Sequence, residues 1–230
     1  MGGEEIMMDS NYLYILITLI AYEIGLVIKK KTGINALLVA IILVAGFVLC
    51  FGIDVSTYQA KTVHISYFLT PATICLAIPL YEQFELLKKN LKAILVGIVS
   101  GVITSLLSIT LLSILFKLSN QELVSLLPKS ITTAIGMGVS EELGGLVSLT
   151  VGAIIMTGVL GAVIAPFVLK LFNITHPIAK GIGIGSAAHA IGTSKAMEIG
   201  EIEGAMSSLS IVISGLLTVI FAPLLISILL

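Results

Sequence analysis

Arginine is absent, and all twelve basic side chains of the 230-residue chain are lysines. Any anion bound here must be held by lysine, hydroxyls and backbone amides, without the two-pronged grip of a guanidinium. Cysteine is nearly absent too. Cys50 and Cys75 both fall inside apolar runs, at no spacing that suits a metal cluster or a redox pair, so they read as packing residues. Charge is scarce, at 11% of residues with a net value of −1, and no basic block is long enough to follow a phosphate backbone. Nucleic-acid binding is thereby excluded. Missing as well are a positively charged leader and a myristoylation signal: MGGEEIMMDS is acidic and lacks the required hydroxyl residue, so the first apolar run is expected to be retained.

No metal-ligand spacing of the HExxH kind occurs, and Ser186 and His189 lack the setting of a nucleophile elbow. An enzyme is therefore not expected, nor a metal or a cofactor. Thr150 and Ser148 carry no signal of their own.

What is present is apolar sequence. The chain is 57% hydrophobic, which with a mean hydropathy of +1.16 excludes the soluble globular class. Runs of about 20 residues recur, each long enough to cross a hydrocarbon core of roughly 30 Å. The expectation is an all-α polytopic membrane protein, one transport domain over residues 1–230, with about seven membrane segments (six to eight), two of them broken or re-entrant.

Span one, about Tyr12 to Ile28, ends at Lys29, Lys30 and Lys31, which by the positive-inside rule places that end in the cytoplasm and the N-terminus outside a cell membrane. Glu23 within it is either functional or snorkelling toward those lysines. Span two covers about Ile34 to Phe51. Span three begins near His64 and holds Pro71 and Pro79, each of which removes a backbone donor, so a broken helix is expected with Thr70 and Thr73 beside the break. A substrate-facing role for Thr70, Pro71 and Thr73 and a plain proline kink both fit. A cytoplasmic segment with Lys88, Lys89 and Lys92 then leads to span four, about Leu91 to Phe116.

Rows of small residues at four-residue steps allow close helix approach: Gly97, Gly101 and Ser105; Ser100, Thr104 and Ser108; Ala153, Thr157, Gly161 and Ala165; Ser210, Ser214, Thr218 and Ala222. They read as packing seams first and as a pore lining second. An internal repeat at an offset of 114 residues, with halves 1–117 and 118–230, rests on seven identities in 17 positions between Val99–Leu115 and Ile213–Leu229. Paired irregular segments at matching places in two halves point to a transporter binding site.

Two irregular stretches stand out, and they are expected to face each other. In Leu127–Gly145, Pro128 suits the first turn of a helix, and Lys129, Ser130, Thr132 and Thr133 around a helix start make an anion site. Lys129 is assigned to a substrate carboxylate, the alternative being an interfacial lysine that snorkels. The second stretch, Gly181–Ser208, is too rich in glycine for an ordinary continuous helix and too apolar for a solvated loop. It holds His189, Gly192 and Thr193. His189 is either a proton carrier whose tautomer a hydroxyl at helical spacing sets, or a buried histidine satisfied by one backbone bond. Lys195, Glu198, Glu201 and Glu203 read as the solvated end of this segment, with Lys195 and Glu198 able to pair.

The blocks FLTPATICLAIPLY (68–81), LPKSITTAIG (127–136), GGLVSLTVGAIIMTGVLGAVIAPF (144–167) and AHAIGTSKAMEIGEIEGAMSSLS (188–210), in that order, resemble the LrgB/CidB family. That family is described as murein-hydrolase export regulators and includes the plastid glycolate/glycerate transporter of plants. The resemblance implies a transporter of small carboxylates of the glycolate, glycerate, lactate or pyruvate type acting with a holin-like LrgA/CidA partner; proton linkage follows from His189 as the natural proton carrier, and the rows of small residues make a homodimer plausible. The other function it implies is a holin-like pore or regulatory subunit in autolysis. Ala134, Thr70, Ala188 and Lys195 depart from the usual family residues, whereas Lys129, Ser130, Thr132, Thr133, His189, Gly192 and Thr193 match.

Overall fold

Strong helix formers separated by capping residues and glycines divide the chain into twelve helices, with no strand among the described residues. The structure, a computed structural model, describes the backbone of residues 2–75 and 77–229, and the side chains of these apart from residues 2–11, 66, 69, 70 and 73. The chain forms two compact units, Met1–Cys75 and Leu76–Leu230.

The first unit holds α1 (Gly2–Thr32), α2 (Ala36–Cys50), α3 (Val55–Lys61), α4 (Val63–Ser66) and α5 (Leu69–Cys75). Gly33, at φ 76°, turns the chain after α1 in a conformation that favours glycine. Asn35 then caps α2, its side-chain oxygen accepting from the amides of Leu37 at 2.9 Å and Leu38 at 3.3 Å. Gly25 lets α1 approach the backbone at Ala36 closely, and Tyr58 of α3 packs edge-on against Tyr14. The expected third span is divided among α4, α5 and the first helix of the second unit, α6 (Ala77–Glu82), with Pro71 in α5 and Pro79 in α6. Both prolines lie within the first turn of their helices, where the missing backbone donor costs little.

The second unit continues with α7 (Phe84–Phe116), α8 (Asn120–Leu126), α9 (Thr133–Glu142), α10 (Val147–Leu171), α11 (Pro177–Ile199) and α12 (Glu201–Leu229). α7 starts seven residues before the expected Leu91, so Lys88, Lys89 and Lys92 belong to its first turns and not to a connecting segment. Lys117 at φ 54° ends it with a left-handed cap. Ser119 and Glu122 open α8 with a reciprocal capping box. Residues 127–131 make turns, and α9 starts only at Thr133, with Thr132 as its cap. The expected helix start at Pro128 is corrected accordingly: the amide of Lys129 bonds to Leu126 O and that of Ile131 to Pro128 O, closing tight turns before the helix.

α11 and α12, joined through Gly200, are the most extensively packed pair: the C-terminal half of α11 runs antiparallel to α12, with Thr193 at Ser207 and Met197 at Gly204, whereas its N-terminal half runs parallel, with Gly181 at Glu203 and Gly185 at Ser207, so that α11 folds back on itself. Gly181 and Gly185 admit the backbone of α12 at Glu203 and Ser207, while Gly204 lies over Met197. The glycines of this stretch therefore serve close packing of its two helical segments. Its break falls instead at Ala188 (φ −127°, ψ 15°) and His189 (φ 41°, ψ −140°).

The distribution of polarity is that of a protein solvated by lipid. Leu107, Leu111, Met156, Phe167, Val212 and Leu216 are exposed, while Thr150, Thr193, Ser207, Ser210 and Ser214 are buried. Among the described residues, four helices are long and apolar enough to cross a membrane: Tyr12–Thr32, Phe84–Phe116, Val147–Leu171 and Glu201–Leu229. The protein is a multi-pass, all-helical membrane protein.

Candidate functional site

Ile94, Ile98, Val102 and Leu106 recur every fourth residue and anchor one face of α7 in the core. Next to that stripe, Gly97, Gly101, Thr104, Ser105 and Ser108 line a cavity of about 280 Å³. Gly101 brings α11 close, since a methyl group there would lie 3.2 Å from Ser186 Cβ. Ile182, Gly183, Ser186 and Ala187 of α11 form the facing wall, and Lys129 and Ser130 enter from the turn between α8 and α9. Both irregular stretches thus contribute to one cavity.

Lys129 Nζ donates to Ser130 Oγ at 2.9 Å, and Ser130 Oγ lies 3.2 Å from Ser105 Oγ. This run of contacts joins a cation to two hydroxyls on separate elements. Among the described residues, no acidic side chain lines the cavity. A half-buried ammonium with no carboxylate beside it is suited to an exogenous anion.

Beneath this space, Ser105, Ser130 and Ser186 also border a smaller enclosure of about 10 Å³, completed by Ser214 and Thr218 of α12 together with apolar side chains. Ser186 Oγ and Ser214 Oγ are buried there without a protein hydrogen-bond partner.

His189 stands elsewhere, between α10 and α11. Its Nε2 lies 2.8 Å from Ile154 O. A carbonyl oxygen only accepts, so Nε2 carries the proton. The ring rests on Gly158, where a methyl group would fall 2.6 Å from Cε1. Thr193 at helical spacing does not touch the ring. Its hydroxyl donates to His189 O at 3.0 Å, satisfying a carbonyl released by the break, and lies 2.7 Å from Ser207 Oγ on α12. Gly192 leaves room for Ala188 Cβ and Ile184 at the same break. These three residues hold the interrupted helix together, and none of them lines the cavity.

Among the other sequence-derived candidates, Thr132 and Thr133 form the start of α9 and are outside the cavity lining. Pro71 lies exposed on α5 in the first unit. The side chains of Thr70 and Thr73 lie outside the described residues. Lys195 Nζ pairs with Glu198 Oε2 at 2.9 Å, as the spacing suggests. Glu203, expected at a solvated end, is instead buried in the first turn of α12 and 3.6 Å from Lys180 Nζ. Gly200 leaves space for its carboxylate, and Gly181 for its backbone.

Sequence reasoning passed over Ser186, Ser214 and Thr218 as site residues, although Ser214 and Thr218 belong to a small-residue row. It also missed Thr150, whose hydroxyl donates to Ser125 O at 2.9 Å, lies 2.6 Å from Ser140 Oγ, and so ties α8, α9 and α10 together. Only the contact between distant elements gives such hydroxyls their meaning.

These features define a helical membrane protein with a broken helix beside a cation-bearing polar cavity. The chain belongs to the LrgB-like family, which matches residues 18–228. It is 37% identical over 219 residues to "Antiholin-like protein LrgB" of Bacillus cereus (strain B4264), covering 94% of this chain and 95% of that protein. The same figures hold for "Antiholin-like protein LrgB" of Bacillus anthracis (strain CDC 684 / NRRL 3495). No solved structure matches.

Proposed function

We propose that the protein carries small carboxylates of the glycolate, glycerate, lactate or pyruvate type across the cell membrane, with Lys129 and Ser130 as the carboxylate-binding groups. One observation carries this reading: the Lys129 ammonium, bonded to Ser130 Oγ at 2.9 Å, sits in a 280 Å³ cavity with no acidic side chain among its described lining residues. Burying an uncompensated cation is costly, and an entering carboxylate offsets that cost while remaining mobile enough to leave.

The architecture in this reading has about seven membrane segments in two repeats, the N-terminus outside. It is supported by the helix boundaries: residues 84–116 of α7, displaced by 114, fall on 198–230, against 201–229 for α12. Proton coupling, a homodimer and an LrgA/CidA-type partner belong to the same proposal. His189 is the proton-coupling candidate, in the form of a hinge histidine bonded to Ile154 O.

A second reading is favoured by the word "antiholin-like" in the names of the relatives: a regulatory subunit or pore controlling murein hydrolase export. Proteoliposomes separate the two. A carrier gives saturable uptake of radiolabelled lactate or glycolate with counterflow, and Lys129→Ala abolishes it in a folded protein. Uptake that never saturates and extends to unrelated solutes supports a pore, and uptake unchanged in Lys129→Ala removes the role assigned to that lysine.

A further inference from the structure

Two buried hydroxyls in the second unit have no protein partner and border the same small space. Ser186 is 8% exposed and Ser214 1% exposed, and both hydroxyl oxygens lack a hydrogen-bond partner. They come from different helices, α11 and α12, and with Ser105, Ser130 and Thr218 they line the enclosure of about 10 Å³. That volume suits one group the size of a water molecule. A buried hydroxyl with no partner costs the protein stability, so two of them in one chamber represent unused hydrogen-bonding capacity.

The chamber is not isolated from the cavity above it. Ser105, Ser130 and Ser186 border both, which places the Lys129 end and the Ser214 end within the reach of one short molecule. The chemistry of the chamber also restricts what enters. Ser130 Oγ already accepts from the Lys129 ammonium, so a metal cation sharing that oxygen would be repelled, and no carboxylate among the described lining residues would compensate it. A methyl group would leave both hydroxyls unsatisfied. An uncharged oxygen substituent, able to accept from one serine and exchange a second hydrogen bond with the other, satisfies the chamber.

We propose that Ser186 and Ser214 are specificity-determining residues, forming a hydrogen-bonding subsite beneath Lys129 that selects carboxylates bearing an oxygen on the carbon next to the carboxyl group over those bearing only hydrogen there. This rests on the carboxylate reading of the cavity, whose named substrates all carry that oxygen, and adds to that reading the two residues that contact the oxygen.

Lactate and propionate test it, because they differ only by the hydroxyl on that carbon. Ligand-dependent thermal stabilisation of the detergent-solubilised protein is measured for both acids in the wild type, Ser186→Ala, Ser214→Ala and Lys129→Ala. The wild type is expected to require at least about 10-fold less lactate than propionate for equal stabilisation, the effect of one well-placed hydrogen bond of about 1.4 kcal/mol. In Ser186→Ala and Ser214→Ala the ratio falls toward one. The ligand-free melting temperature of these variants stays equal to or above that of the wild type, because an unpartnered buried hydroxyl has been removed. A wild type that binds both acids equally, with both lost in Lys129→Ala, overturns the subsite and leaves the carboxylate site standing. A wild type that binds neither acid overturns both. Alanine variants that keep the lactate preference and melt at lower temperature show the two serines to be structural, which also overturns the proposal.

Discussion

Gly158 and His189 are fitted to one another: a methyl group on Gly158 would lie 2.6 Å from Cε1 and 2.7 Å from Nε2 of a ring that is already bonded to Ile154 O, four residues earlier on α10. The missing side chain on one helix makes room for the side chain that marks the break in the next. Gly158→Ala must therefore displace the ring and lengthen its bond. Destabilisation of about 1–3 kcal/mol is expected from overpacking, reduced by up to about 1 kcal/mol through alanine's better helix propensity. Thermal unfolding in detergent measures it, and a variant as stable as wild type contradicts the fit.

The backbone of His189 yields a second expectation. At φ 41° and ψ −140°, it occupies a region that glycine enters freely and L-residues enter at a cost of about 1–3 kcal/mol. Both His189→Ala and His189→Gly lose the bond to Ile154 O, but only glycine relieves the backbone. His189→Gly should melt above His189→Ala. The reverse order would mean that the helix runs through this position unbroken.

Thr150 ties three helices together, its hydroxyl donating to Ser125 O at 2.9 Å and lying 2.6 Å from Ser140 Oγ. Thr150→Val preserves shape and removes the hydroxyl, leaving the Ser125 carbonyl and the Ser140 hydroxyl each short of a partner. A loss of about 1–3 kcal/mol is expected, with Thr150→Ser retaining most of the stability. Affinity for carboxylates should be unaffected in the folded fraction, since Thr150 is outside the cavity lining.

Residues placed at the site by sequence and residues placed there by structure differ in what their removal should do. Ser130 bridges Lys129 and Ser105, whereas Thr133 opens α9 away from the cavity. Ser130→Ala should lower lactate uptake by about 10-fold or more, equivalent to about 1.4 kcal/mol, and Thr133→Val should change it by less than about 2-fold. Equal losses would show that the anion contacts the α9 start after all.

Hydrogen bonds from the side chain and then the backbone amide of Ser119 hold the Glu122 carboxyl below its ordinary value of 4.5. Because the folded-state value is the lower one, the capping box stabilises fully above about pH 4.5, and that contribution is lost as pH falls through the lowered folded value. The stability difference between wild type and Glu122→Gln should be constant near neutrality and shrink only below that pH. A difference that instead changes between pH 6 and 8 would assign the titration to another group.

Some of this was legible without a fold. Apolar runs of spanning length, the lysine clusters, the division at Pro71 and Pro79, and the polarity of the two irregular stretches all depend on residues near one another in the chain. Lys129 and Ser130 stand out for the same reason, as polar groups flanked by apolar sequence. The role of glycine in residues 181–192 was not legible, because a glycine that breaks a helix and one that admits a neighbouring backbone look alike until the neighbour is known. Glu203 illustrates this: in sequence it belongs to a charged tail, while in space Gly181 admits its backbone and Gly200 leaves room for its carboxylate, which lies 3.6 Å from Lys180 Nζ.

The sequence by itself therefore determined the class of protein, the family and the cation on which the functional reading turns, since burial in lipid constrains local composition so strongly. Only the tertiary structure decided that His189 forms the hinge of a broken helix outside the cavity lining, and that Ser105, Ser130, Ser186 and Ser214 converge. Those four serines are up to about a hundred residues apart along the chain, and no local pattern distinguishes a serine that packs from one whose hydroxyl awaits a ligand. That difference arises from which hydrogen bonds the surrounding helices leave unmade.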